Sequence, residues 1–149
     1  MGIKTTTHLN FHGEARSALE FYQSVFGGEL TIATYGDFGM PADAPGAEHV
    51  VVGQVATADG YGVMAYDVPG ESGPAFGGST HRENGVTITD QSYFLSLRGD
   101  TLAEVQRPWD ALSTGATIVE PLAASAWSAG FGMLTDRFGI TWVIDVATA

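Results

Sequence analysis

Trp127-Ser-Ala-Gly-Phe-Gly-Met-Leu-Thr-Asp-Arg-Phe-Gly-Ile-Thr-Trp-Val-Ile-Asp145 is the stretch around which the chain is organised. Apolar and β-branched residues run up to Asp136-Arg-Phe-Gly139 and resume beyond it. That pattern predicts a β-hairpin whose Asp and Gly supply the turn. Asp145 is an acid near the end of the second strand, in an otherwise apolar run. Such an acid either faces water at the mouth of a sheet or belongs to a site.

The same hairpin pattern occurs earlier. Val50 to Thr57 and Gly62 to Asp67 are strand-like runs joined by Ala58-Asp-Gly-Tyr61, and Asp-Gly between two such runs is a strong hairpin signal. Ahead of them, His8-Leu-Asn-Phe-His12 alternates as a half-buried strand does. With Leu9 and Phe11 facing the core, His8, Asn10 and His12 share the other side. Ala15, Ala18, Leu19, Tyr22, Val25 and Phe26 then mark one helical face, which Gly27-Gly28 ends. Glu29 to Tyr35 reads as a second strand, and residues 36–47 as an exposed loop or flap. The Gly-rich residues 69–89, with two Pro, read as a linker with a mobile connection.

Beyond that linker the order restarts. Tyr93 to Arg98 reads as a strand, and Leu102, Val105, Trp109 and Leu112 stand 87 residues after Ala15, Ala18, Tyr22 and Val25. Gly115 stands 87 after Gly28, and Ala116 to Glu120 repeats the strand that follows the helix. Turn, helix stop and hairpin all recur, which identifies an internal duplication. Pro108 is expected to kink or shorten the second helix. The fold class is therefore α+β, with two βαβββ modules, 3–68 and 90–149. They are expected to form a curved mixed sheet with outer helices, whose concave face is the natural cavity.

Composition narrows the function. Seventeen acids against six Lys and Arg give a formal charge of −11, which repels phosphate backbones and makes nucleic acid an unsuitable partner. The surface favours, if any charged ligand, a cationic one. Cysteine is absent, so disulfides, thiolate metal sites and cysteine nucleophiles are excluded. No apolar run reaches the ~18 residues of a membrane span, and Met1 to Thr7 carries no signal-peptide core. A cytoplasmic protein without membrane association is expected.

The duplication resembles the vicinal oxygen chelate superfamily of glyoxalase I, bleomycin-resistance proteins and extradiol dioxygenases. Within it the chain is similar to the PhnB-like branch, on Leu9-Asn-Phe-His-Gly-Glu-Ala-Arg-Ser-Ala-Leu-Glu-Phe-Tyr-Gln-Ser-Val-Phe-Gly-Gly-Glu-Leu30 and on Trp127 through Trp142. Some members of that branch carry a demethylubiquinone methyltransferase label. The duplication encodes no cofactor-binding sheet of the methyltransferase kind, so that activity is not expected here. Hydrolase elbow, zincin, phosphate-loop and dinucleotide motifs are also absent.

The resemblance implies a divalent ion (Zn, Ni, Mn or Fe) held by residues from the first and last strands of each half. His8 and Asp145 match two of those positions. The last strand of the first half offers Met64, Tyr66 and Asp67, and the opening strand of the second offers Phe94 and Ser96. His49 and Gln54 could add donors, while Val52 stands where related chains often place a His. Two ligands are fewer than Zn or Fe normally needs. Each candidate also has a plain reading: His8 and Asp145 as strand-end polar residues, His12 as exposed or helix-capping, His49 as exposed, and His81-Arg82 as a solvated loop, whose functional reading is a lid that closes over a ligand anion. Trp109 and Trp142 read as core. Phe38, Tyr93, Phe94, Trp127 and Gln54 are the candidate ligand contacts. Two functions follow from these features. One is a small-molecule-binding protein with a degenerate metal site; the alternative is a metal-dependent lyase, isomerase or dioxygenase. The resemblance also implies a homodimer.

Overall fold

The computed structural model describes residues 2–148. The chain divides into two compact units, one ending at Ala75 and the other beginning at Phe76. In the first, β1 (Thr7–Phe11) leads to α1 (Ala15–Phe26), then β2 (Glu29–Thr34), β3 (Val50–Ala56) and β4 (Gly62–Asp67). Their sheet order is β1-β4-β3-β2, with β1 parallel to β4 and the other pairs antiparallel.

The second unit begins with a small hairpin, β5 (Thr80–Glu83) and β6 (Val86–Thr89). It continues with β7 (Leu95–Gly99), α2 (Leu102–Ser113), β8 (Thr117–Ala123), β9 (Phe131–Thr135) and β10 (Thr141–Val146). Its large sheet has the order β7-β10-β9-β8, with β7 parallel to β10. The duplicated βαβββ order and the α+β class are thus present, as two four-stranded mixed sheets with matching connections.

Each sheet buries one face against its helix. In the first unit α1 buries Ala15, Ala18, Leu19 and Tyr22, and the strands bury Leu9, Phe11, Val55, Val63 and Ala65. In the second, Val105, Trp109 and Leu112 of α2 are buried with Leu134, Trp142, Ile144 and Val146. Full burial of such side chains contributes about 1.5–3 kcal/mol each. The repeat extends to the place where helix and sheet come closest. A Cβ on Gly53 would overlap Leu19, and one on Gly132 would lie 2.9 Å from Trp109 Cζ3. These two glycines stand 79 residues apart, as do their paired neighbours Ala65 and Ile144.

Three sequence expectations change. The second half of the 69–89 segment is the β5–β6 hairpin, not linker. Its turn is Asn84-Gly85, both at positive φ, 52° and 76°, as a two-residue hairpin turn requires. The surrounding Gly-rich composition masked that local signal. The strand read as Tyr93 to Arg98 is Leu95–Gly99, so Tyr93 and Phe94 precede it. Pro108 neither shortens nor ends α2, which at 12 residues equals α1. Only one helical N–H is lost at Pro108. Buried Val105, Trp109 and Leu112 hold the helix, and Thr101 Oγ1 caps it by accepting from the Glu104 N–H at 3.2 Å.

Two buried aspartates close the loops. Asp67, 1% exposed, accepts from the N–H groups of Gly13 (2.8 Å), Ala15 (3.0 Å) and Val50 (2.9 Å). Asp136 accepts from Phe138 and Ile140 N–H and from Trp142 Nε1 at 3.0 Å. Asp67→Asn leaves one buried N–H facing an amide donor. It is expected to lower unfolding free energy by about 2–4 kcal/mol, read as a shift in the urea midpoint; an unchanged midpoint would mean the carboxylate is dispensable.

Candidate functional site

The helix-free face of each sheet carries the polar candidates. On the first, β1 presents His8 and Asn10 beside Met64 and Tyr66 of β4, and β3 places Gln54 between Met64 and Thr31. His8 is exposed, its Nδ1 lies 3.1 Å from Asn10 Oδ1, and its ring meets Tyr66 edge-on at 5.3 Å. Gln54 is half-buried and Val52 is 45% exposed. This face is an open patch of mixed polarity.

On the second sheet, burial of Trp142, Ile144 and Val146 toward α2 turns Val143 and Asp145 the other way. Their register partners are Ser96 and Arg98 on β7, and Met133 and Phe131 on β9. Arg98 holds Asp145 side-on, with Nε donating to Oδ1 at 3.0 Å and Nη2 to Oδ2 at 2.8 Å. This hydrogen bond, and then the charge of Asp145, raise the Arg98 pKa above its ordinary value. The β5–β6 hairpin covers part of the same face. Arg82 stands 5.0 Å over the Phe131 ring and 3.3 Å from Glu120, and Thr87 Oγ1 donates to Met133 Sδ at 3.6 Å. His81, beside Arg82, is exposed and lies 3.6 Å from Glu83.

The donor set does not fit a divalent ion. Both Asp145 oxygens are engaged by a guanidinium. The topological counterparts of the first-sheet residues His8 and Tyr66 are Ser96 and Asp145. Asp67, offered by the sequence as a donor, is spent on backbone N–H groups. His49 is half-buried and 3.9 Å from Glu48. Among the described residues no three His, Asp or Glu side chains are grouped to hold a metal.

The aromatic candidates stand at element ends and in loops. Phe38 ends a short 3-10 turn at 71% exposure, and Trp127 is 93% exposed in the β8–β9 loop. Tyr93 is 43% exposed, and partial burial, then the charge of Asp136, raise its pKa. Phe94 is half-buried just before β7. His12 is half-buried rather than exposed, and its Nδ1 lies in the interior. Arg98, Glu120 and Phe131 were not singled out from sequence; Arg82 was, as part of an anion-closing lid, and it stands on the β5 strand of the small hairpin.

Comparison with known proteins follows the same lines. Residues 8–144 match the model of the Glyoxalase/Bleomycin resistance protein/Dioxygenase superfamily, and the chain belongs to that family. Protein YjdN of Escherichia coli is 27% identical, over 93% of this chain and 92% of YjdN. The crystal structure of PA1353 from Pseudomonas aeruginosa is 28% identical with a TM-score of 0.72, covering 99% of this chain and all of that one. A Bacillus cereus PhnB protein, named a putative 3-demethylubiquinone-9 3-methyltransferase, shares the fold at 24% identity and a TM-score of 0.71, over 97% of this chain and all of its own. No helix among the described residues is long and apolar enough to cross a membrane.

A raised pKa means that folded Tyr93 keeps its proton when the unfolded chain has lost it. Its contribution is therefore present below the ordinary tyrosine value and lost as pH rises beyond about 10. Urea midpoints followed from about pH 8 to 11 are expected to fall at the alkaline end, and less steeply in Tyr93→Phe. Equal slopes for the two proteins would show that the phenol is not linked to folding.

Proposed function

We propose that the chain is a small-molecule-binding protein of the glyoxalase/bleomycin-resistance type, whose ligand lies against a helix-free sheet face and whose metal site is degenerate. The observation that carries this reading is the side-on Arg98–Asp145 pair. A carboxylate held by two charge-assisted hydrogen bonds is a poor ligand for an added cation, because binding must first break them. Among the described residues no group of three His, Asp or Glu includes Asp145, and its neighbours on β7 are Ser96 and Arg98.

Metal analysis separates this from a metal-dependent lyase, isomerase or dioxygenase. Protein purified without chelator is expected to carry well under one equivalent of Zn, Ni, Mn or Fe, with no change in His8→Ala. A stoichiometric ion that disappears in His8→Ala would overturn the binding reading in favour of the enzyme. We read the protein as a cytoplasmic homodimer by extension from its family. Light scattering at micromolar concentration checks the pairing, and a mass of one chain would refute it.

A further inference from the structure

The chain carries only six Lys and Arg, yet two of them stand on one face of one sheet. Phe131 is the hinge of that arrangement. It pairs directly with Asp145 across β9 and β10, and Asp145 pairs with Arg98 across β10 and β7. Gly132 faces Trp109 of α2, so Phe131 and Met133 point away from the helix, as Asp145 does. With strands about 4.8 Å apart, Arg98 rises roughly 10 Å from Phe131, while Arg82 lies above the ring itself.

Each guanidinium is oriented by a carboxylate, and neither is used up by it. Arg98 spends Nε and Nη2 on Asp145, and its Nη1 has no partner among the described residues. Arg82 gives Nε to Glu120 and Nη1 to Thr87 Oγ1, and its Nη2 has none. The Arg98 side chain is 65% exposed, so its open edge reaches solvent. An arginine held in this way loses little rotamer freedom when it meets a ligand, and its planar fork suits a carboxylate or phosphate-like oxyanion.

We propose that Arg82, Arg98 and Phe131 form a subsite on the helix-free face of the second sheet for an organic anion, an oxyanion joined to a flat apolar body. The inference rests on the ligand-binding reading and names the chemistry of its ligand. The oxyanion takes the free N–H edges, and the flat body packs against the rim of Phe131. Asp145, in the position of a metal-binding acid, acts here as the positioning residue for Arg98. The cationic ligand suggested by the net charge is therefore not the one this face selects. Net charge acts at long range and is screened within about 8–10 Å, whereas directed N–H donors decide at contact. With two acids beside two arginines, the patch is near neutral amid an acidic surface.

Titrating isotope-labelled protein with benzoate, benzamide and benzyltrimethylammonium, while following backbone amides by NMR, tests the subsite. Benzoate is expected to shift Phe131, Arg98 and Asp145, and to bind about tenfold more weakly in Arg98→Gln, the loss of roughly one charge-assisted contact. Arg82→Gln should weaken it similarly, and Arg107→Gln, an exposed position on α2 at the other face of the same sheet, should leave it intact. Because Arg82→Gln could also loosen the hairpin, Arg98→Gln decides, with an unchanged melting curve as its control. Equal binding of benzamide, or preference for the ammonium probe, would overturn the anion subsite and leave the binding reading standing. Benzoate shifts that persist in both arginine variants would overturn it as well. Stoichiometric metal lost in His8→Ala is the separate result that removes the reading beneath it.

Discussion

Asp67 is the constraint on which the first unit depends. A strand-end carboxylate is carried almost wholly out of water, which is costly unless its oxygens are filled. Here one oxygen takes Gly13 and Ala15, at the start of α1, and the other takes Val50, at the start of β3. The residue therefore fixes the end of β4, the entry to the helix and the beginning of β3 at one point. Glu14, at the N-terminal boundary of α1, makes no side-chain cap. The helix N-terminus instead has its cap supplied from β4, where a negative charge also meets the helix dipole. The second unit solves a similar problem at a different place, with Asp136 inside the β9–β10 turn and Trp142 Nε1 as a side-chain donor. Both acids are structural, and neither is available for chemistry.

That division of labour explains what could be read from the sequence. Helix faces, helix stops and both Asp-Gly type hairpins depend on residues close together, and their periodicity and turn chemistry are local. The duplication followed from them. Three things did not. The start of β7 moved by two residues and its end by one, because Tyr93 and Phe94 are as strand-like as Leu95 and Leu97 and only pairing with Trp142 and Ile144 settles the choice. The β5–β6 hairpin was hidden because Gly and Pro over the whole stretch outweighed the Asn84-Gly85 turn within it. The Arg98–Asp145 contact joins residues 47 positions apart, and no spacing rule connects them.

The two helix-free faces also show how a duplicated fold can diverge. On the helix side the halves match closely, down to Gly53 and Gly132 beneath their helices. Packing there tolerates little, since a single added carbon collides with Leu19 or Trp109. The opposite faces are free of that demand. The first shows His8, Asn10, Gln54 and Tyr66. The second shows Ser96, Arg98, Phe131 and Asp145, with a hairpin laid over part of it.

Donor identity on those faces can therefore change without disturbing the core. Where His8 stands on β1, its counterpart on β7 is Ser96, and where Asn10 meets Tyr66, Arg98 meets Asp145. A hydroxyl in place of an imidazole costs little stability, because the position is exposed. An arginine beside the acid does more, since its guanidinium neutralises the carboxylate and fixes its orientation. The fold persists because Asp67, Asp136 and the helix contacts hold it, while the character of the site follows from a few outward-facing residues. Membership of the family thus sets the scaffold, and outward-facing contacts such as the Arg98–Asp145 pair set the chemistry of the face they stand on.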